Sequence, residues 1–128
     1  MNTQIHNPQL VLLVEDNLDV AAFLCETLRR AGFSVCSAAT AQQGLALALE
    51  RQPTLAVLDI DLPDFSGLEL CRRLKADLRT SDMPVIFCSG ELESRLDAFA
   101  AGGVDFLAKP HEAIHLPARI RQALQTTA

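Results

Sequence analysis

Three short apolar runs constrain the fold of this chain more than any other feature. Leu10–Val14, Leu55–Leu58 and Pro84–Cys88 contain no polar residue. Each run has the length of a strand, and none shows the alternation of a strand with one face in water. A strand that is apolar on both sides is typical of a parallel sheet covered by helices on both faces. We therefore predict a central parallel sheet.

Helical patterns separate these runs. Apolar residues at helical spacing lead from Val20 to Ala31, before Gly32 as a C′ residue. Further helices are predicted at Ala41–Arg51 (capped by Thr40 and ended by Pro53), at Leu68–Leu74, at Leu92–Phe99 (ended by Gly102–Gly103), and from about Leu116 to about Gln125. Pro117 suits only the first turn of that last helix, so residues 110–115 should be irregular. A more polar segment, Phe33–Ala38, suits an edge strand, and Val104–Ala108 should be the fifth strand.

Five strands alternating with five helices predict an α/β fold with a doubly wound parallel sheet. Ligands of such folds bind beyond the carboxyl ends of the strands. The chain has 128 residues, 49% of them apolar, which suits one domain with a core at about residues 10–125. No apolar run approaches the roughly 20 residues of a membrane span, and residues 1–9 do not resemble a signal peptide. We expect a cytoplasmic protein with no membrane partner.

The charge balance narrows the set of partners. The formal net charge is −5, and the Lys/Arg residues form no cluster beyond the pairs Arg29–Arg30 and Arg72–Arg73. Direct nucleic-acid binding is therefore not expected, because it needs a basic face. Four cysteines lie in apolar segments without Cys-x-x-Cys spacing, which indicates core thiols (Cys25, Cys36, Cys71 and Cys88).

Polar residues follow four of the predicted strands. Glu15–Asp16 follow the first, Asp59 the third (with Asp61 two residues on), Ser89 the fourth and Lys109 the fifth. In a parallel sheet these strand ends open on one edge, so the side chains should converge. Crowded carboxylates either raise one another's pKa or recruit a cation, and Mg²⁺ takes one or two carboxylates together with phosphate oxygens. An ammonium and a hydroxyl beside them favour a site that handles phosphoryl groups.

Each of these residues also has an ordinary structural explanation. A single Asp after a strand, such as Asp16 or Asp59, is commonly a helix cap. Lys-Pro is commonly a turn, and Ser-Gly an ordinary loop start. Four of the five strands end in groups that fit one phosphoryl site, which argues against all these explanations together.

These motifs resemble the receiver domain of two-component response regulators. The matching segments are Val14–Asn17, Leu58–Gly67, Ser89–Gly90 and Phe106–Pro110, and the similarity covers about residues 10–124. The resemblance implies a flavodoxin-like (βα)5 fold with strand order 2-1-3-4-5.

The resemblance also implies residue roles. Asp59 would be the phosphoacceptor, and Ser89 and Lys109 would hold phosphoryl oxygens. Mg²⁺, or Mn²⁺ in its place, would be bound by Asp16 directly, by Glu15 mostly through water, by Asp59, and by the backbone carbonyl of Asp61. Ser89 and Phe106 would form the switch, the Lys109–Pro110 bond would be cis, and Gly67 would let the loop after the third strand turn.

The function implied is phosphoryl transfer from a phosphohistidine onto Asp59. The donor would be a histidine kinase or a histidine phosphotransfer protein. Phosphorylation would reshape the face made by the fourth helix, fifth strand and fifth helix, which signals to a partner or an output domain. Such a domain catalyses its own phosphorylation and dephosphorylation, so turnover of a small-molecule substrate is not expected.

Two other functions remain open at this point. Asp59-Ile60-Asp61 resembles the nucleophile motif of haloacid-dehalogenase phosphohydrolases, although Pro63 stands where those have Thr or Val and the chain lacks room for a cap. A receiver-like binding module that is never phosphorylated is the second. A flavodoxin relative is disfavoured because an acidic pair, rather than a phosphate loop, follows the first strand.

Overall fold

The structure is a computed structural model that describes residues 9–126. Strands and helices alternate along the chain: β1 Leu10–Val14, α1 Leu18–Arg30, β2 Ser34–Ala38, α2 Ala41–Arg51, β3 Leu55–Leu58, α3 Gly67–Ala76, β4 Val85–Ser89, α4 Arg95–Ala100, β5 Asp105–Ala108 and α5 Leu116–Gln125. Single turns of 3-10 helix, Leu92–Ser94 and Ala113–His115, directly precede α4 and α5.

The five strands form one parallel sheet in the order β2-β1-β3-β4-β5. β1 lies between β2 and β3, so that Leu12 is opposite Cys36 on one side and Ala56 on the other. This arrangement confirms the predicted α/β fold, the strand order and the position of β2 at an edge.

Each strand divides its residues between two apolar layers. Leu12, Val14 and Leu58 face the layer that contains residues of α2, α3 and α4. Their neighbours Leu13 and Val57 face the opposite layer, which contains residues of α1 and α5. Burial on both faces is the reason that the central strands β1 and β3 contain no polar residue.

Several predicted helix boundaries are confirmed. The Thr40 side chain accepts a hydrogen bond from the Gln43 amide and caps α2. Gly32 has a φ of +100°, which an L side chain adopts only with strain, and it follows the end of α1. α5 begins at Leu116 with Pro117 in its first turn, where the missing amide proton has no helical partner to lose.

The helix predicted at Leu92–Phe99 is present but shorter, and its large apolar residues face outward. Leu96 is 82% exposed, whereas the small Ala98 is fully buried. The turn after α4 is packed tightly between that helix and the sheet: a Cβ at Gly103 would lie 3.0 Å from the Ala98 carbonyl of α4 and 2.8 Å from the Phe87 ring of β4. A close approach leaves room for a methyl group and not for a leucine, so the periodicity alone indicated the wrong face.

All four cysteines are buried free thiols, as predicted. Burial raises the pKa of Cys71 and Cys88 to about 11. Both are therefore protonated at neutral pH, and the thiolate is the reactive form.

Within residues 9–126, every helix is too short or too polar to span a membrane.

Replacing Phe87 tests the core beside the sheet. Phe87 is 0% exposed, so Phe87→Ala should lower the free energy of unfolding by about 3–5 kcal/mol, because it leaves a cavity. The matched control is Phe23→Ala on the outer face of α1, where the ring is 58% exposed and the cost should stay within about 0.5 kcal/mol. Urea denaturation measures both, and equal losses would contradict the burial described here.

Candidate functional site

The acidic residues lie at the ends of neighbouring strands. Glu15 and Asp16 follow β1, and Asp59 follows β3, whose backbone pairs with β1 up to this point: the Asp59 amide donates to the Val14 carbonyl at 2.9 Å. Carboxylate oxygens of the three residues lie within 4.8 Å of one another. The predicted convergence of this part of the site is therefore present.

The three carboxylates differ in their exposure. Glu15 is 3% exposed and Asp59 is 7% exposed, whereas Asp16 is open to solvent. Hard oxygen donors with one side open to water fit Mg²⁺, which binds few protein carboxylates and keeps several of its waters. The donor set is thus suited to a hydrated divalent cation.

Lys109 also lies in this cluster, although it follows β5, an edge strand of the sheet. β5 lies two strands beyond β3 in the order of the sheet. Its Nζ donates to Glu15 Oε1 at 2.6 Å and to Asp59 Oδ2 at 3.2 Å. The lysine side chain therefore bridges the ends of β1 and β3.

One ammonium does not balance three carboxylates. Burial raises the pKa of Glu15, and the charge of Asp59 adds to this, against the lowering by the hydrogen bonds from Lys109 and the Asn17 amide. Burial alone would lower the pKa of Lys109, but the hydrogen bond to Glu15 and the charges of Asp59 and Glu15 raise it. The site keeps Lys109 charged and retains an excess of negative charge, which favours cation binding.

Backbone amides orient the two buried carboxylates. Asp59 Oδ1 accepts from the Ile60 amide at 2.8 Å, and Glu15 Oε2 accepts from the Asn17 amide at 3.1 Å. Each carboxylate therefore presents one oxygen to the backbone and the other to Lys109. One backbone amide and the Lys109 ammonium thus hold the orientation of each carboxylate.

Ser89, the last residue of β4, is fully buried beside Lys109. The Ser89 carbonyl accepts from the Lys109 amide at 2.9 Å, and its hydroxyl oxygen accepts from the Glu91 amide at 3.1 Å.

Burial raises the pKa of Glu91, and the charges of Asp61, Glu93 and Asp59 raise it further. Asp61 and Glu91 thus border the site with additional negative charge.

Phe106, the predicted switch aromatic, lies in β5. Its ring is fully buried in the layer that contains Phe87, and the guanidinium carbon of Arg95 is 5.6 Å from the ring centroid. The Lys109–Pro110 peptide bond is cis, the isomer that the resemblance implied.

Neither Asp16 nor Asp59 caps a helix. The Asn17 side chain accepts from the amides of Asp19 and Val20 and caps α1, and the Ser66 hydroxyl accepts from the Leu68 amide and caps α3. Sequence reasoning assigned no role to Asn17, which also holds Glu15 through its amide. Its place directly before a helical pattern is a signal that could have identified it, since Asn is a preferred N-cap.

Gly67 lets α3 begin directly against the phosphoacceptor candidate. A Cβ at this position would collide with the backbone carbonyl of Asp59, and the Gly67 amide donates to the Ile60 carbonyl at 2.8 Å. Only a residue without a side chain permits this approach.

Comparison with known proteins places this geometry in a family. The sequence model described as the response regulator receiver domain matches residues 11–121. The chain belongs to the response regulator receiver family. It is 34% identical over 119 residues to the DNA-binding dual master transcriptional regulator RpaA of Synechocystis, covering 91% of this chain and 49% of RpaA.

Solved structures agree with this assignment. A putative response regulator from Chloroflexus aurantiacus superposes with a TM-score of 0.88 at 31% identity, covering 93% of this chain and 99% of the other. The receiver domain of a sensor histidine kinase from Pseudomonas aeruginosa gives a TM-score of 0.80 at 27% identity, covering 94% of this chain and 97% of that one. That structure has a magnesium ion coordinated in its active-site cleft.

The receiver chain spans about half the length of curated relatives such as RpaA.

Gly67→Ala should destabilise this receiver domain by about 1–3 kcal/mol, because the added methyl group forces the Asp59 carbonyl and α3 apart. Gly90→Ala is the matched control, since a Cβ there meets no atom within 4 Å. For Gly90→Ala we expect the free energy of unfolding either to stay the same or to rise by up to about 1 kcal/mol. Thermal or urea unfolding measures both variants, and a neutral Gly67→Ala would refute the close approach.

Proposed function

We propose that this receiver domain accepts a phosphoryl group on Asp59 from a phosphohistidine, in a reaction that depends on Mg²⁺. One observation carries the proposal. The Asp59 carboxylate is almost fully buried, lies beside two other carboxylates, and contacts the only ammonium that reaches it among residues 9–126. Membership of the receiver family supports the same assignment.

The transfer follows from ordinary phosphoryl chemistry. A carboxylate oxygen of Asp59 attacks the phosphorus, the P–N bond to the donor histidine breaks, and an acyl phosphate forms. Lys109 Nζ, already within hydrogen-bonding distance of Asp59, holds a phosphoryl oxygen, and the Ser89 hydroxyl holds another. Positioning and charge supply the catalysis, because the chemistry requires no further nucleophile.

Glu15, Asp16 and Asp59 would hold the metal ion, together with the backbone carbonyl of Asp61. When bound, Mg²⁺, or Mn²⁺ in its place, supplies positive charge that offsets the charge of the transferring group. The Ile60 and Asn17 amides keep the buried carboxylates oriented for this task.

The signal would leave the domain through the face made by α4, β5 and α5. Ser89 and Phe106 would form the switch, since Ser89 ends β4 and Phe106 lies in the adjacent strand β5. The phosphoryl group would bias an equilibrium between two conformations of this face.

We propose that residues 1–128 are one receiver domain in the cytoplasm. It would receive the phosphoryl group from a histidine kinase or histidine phosphotransfer protein and act on a partner or an output domain.

Two alternatives considered from the sequence are not favoured. A haloacid-dehalogenase phosphohydrolase would belong to another family, whereas the receiver family model matches most of this chain. A receiver-like module that is never phosphorylated would have no need for three carboxylates and a lysine in contact at the strand ends.

Asp59→Asn should leave the fold intact and abolish phosphorylation, because the amide is not a nucleophile. The measurement is the mass gain of one phosphoryl group after incubation with acetyl phosphate and Mg²⁺. Asp82→Asn, which changes an exposed aspartate of the loop before β4, is the control and should phosphorylate like the wild type. Acyl phosphate on Asp59→Asn would refute the assignment.

Mg²⁺ should stabilise the domain against unfolding by about 2.7 kcal/mol at 100 times its dissociation constant. The affinity should fall as the pH is lowered, because protons compete for the carboxylates. Because the pKa of Glu15 is raised, the Mg²⁺ affinity begins to fall at a higher pH than it would if Glu15 had the ordinary glutamate pKa of 4.5.

Calorimetric titration of Mg²⁺ across pH measures this effect. Glu15→Gln should bind Mg²⁺ more weakly and lose the earliest part of the pH dependence. A Mg²⁺ affinity that does not change with pH would contradict the metal site. A free energy of unfolding that does not change when Mg²⁺ is added would contradict it as well.

A further inference from the structure

Helix α2 is capped by a residue from the loop that follows the phosphoacceptor candidate. Asp64 Oδ1 accepts from the Ala41 amide at 2.9 Å, and Asp64 Oδ2 accepts from the Gln42 amide at 2.8 Å. These amides open α2, and the next one, of Gln43, is satisfied by Thr40. α2 thus has two caps, one of its own and one from a segment more than twenty residues away.

The loop that joins Asp59 to Asp64 is packed rather than loose. Ile60 and Leu62 are buried in the same apolar layer, and the Leu62 amide donates to the Ile60 carbonyl at 3.1 Å. Phe65 packs against this layer, with the Arg73 guanidinium carbon 4.1 Å from its ring centroid. A segment anchored at these points transmits a displacement of its backbone from one end to the other.

α2 also presses on the strand that leads into the acidic pair. A Cβ at Gly44 would lie 2.6 Å from Cγ2 of Val14, the residue directly before Glu15. α2 therefore contacts both halves of the site: the β1 half through Val14, and the β3 half through Asp64.

We propose that Asp64 is a positioning residue, which couples the capping of α2 to the binding of Mg²⁺ by holding the backbone of the loop between Asp59 and Asp64. This inference rests on the proposed metal site. The cap holds the loop in one conformation, and that loop contains Asp61, whose carbonyl is a proposed ligand. Removing the cap lets the loop populate other conformations, and the metal then binds only the fraction that remains competent.

Thermodynamic linkage makes the coupling reciprocal. If the cap strengthens Mg²⁺ binding by some factor, then bound Mg²⁺ must reduce the opening of the cap by the same factor. Two different measurements should therefore yield one number, which a merely structural role for Asp64 would not produce.

The first measurement is calorimetric titration of Mg²⁺ at fixed pH and ionic strength. Asp64→Ala should weaken binding about five-fold, the lower end of typical couplings between sites. Asp64→Asn should fall between Asp64→Ala and the wild type, because its amide oxygen keeps one acceptor. Thr40→Ala is the matched control: it removes the other cap of the same helix but has no link to the loop, so Mg²⁺ affinity should not change.

The second measurement is amide hydrogen exchange at Ala41 and Gln42, with and without saturating Mg²⁺. In the wild type, Mg²⁺ should slow exchange by the same factor, about five-fold. In Asp64→Ala, Mg²⁺ should leave exchange at these two amides unchanged.

Four results would overturn the inference. Equal weakening in Asp64→Asn and Asp64→Ala would attribute the effect to lost charge, and equal weakening in Thr40→Ala would attribute it to the stability of α2. Wild-type affinity in Asp64→Ala, with Mg²⁺ bound normally, would refute the coupling and leave the metal site standing. Failure of the wild type to bind Mg²⁺ would refute the metal site itself, and this inference with it.

Discussion

The contact of the Lys109 ammonium with the carboxylates of Glu15 and Asp59 is the interaction on which the rest of the site depends. A buried ammonium is costly unless it is paired, and buried carboxylates are costly for the same reason. The three groups come from the ends of β5, β1 and β3, so their pairing ties together strands that lie far apart in the sequence. With Asp16 included, three carboxylates lie beside one ammonium, and this excess of negative charge at the carboxyl edge of the sheet favours cation binding.

The parallel sheet supplies this arrangement as a consequence of its topology. All five strands run in one direction, so the residue that follows each strand appears on the same edge. The interiors of β1, β3 and β4 are apolar because both faces are covered, so the polar side chains beside these strands lie at the strand ends. Gly67 completes the geometry, since the absence of a side chain allows α3 to begin against the Asp59 carbonyl.

Backbone amides hold most of the functional carboxylates in place. Glu15 is oriented by the Asn17 amide, Asp59 by the Ile60 amide, and Asp64 by two amides of α2. Hydrogen bonds from backbone amides to ionised carboxylates are short and strong. The carboxylates are thus supported by the starts of α1 and α2 and by the backbone of the loop after β3.

The apolar runs, the caps at Thr40 and Gly32 and the start of α5 at Pro117 were predictable from the sequence. They depend on local rules: a strand buried on both faces contains no polar residue, and certain residues begin or end helices. The convergence of Glu15, Asp16, Asp59 and Lys109 was also predictable, because a parallel sheet allows only one edge for strand ends. The sequence by itself therefore determined the fold class and which charged side chains meet at this edge of the sheet.

Only the tertiary structure decided the remaining features. The outward face of α4, with Leu96 exposed and Ala98 buried, depends on how closely that helix approaches the sheet. The Asp64 cap on α2 joins residues separated by more than twenty positions, and no local rule connects them. Local rules cover a few neighbouring residues, whereas contact distances and distant partners are set by the packing of the whole chain.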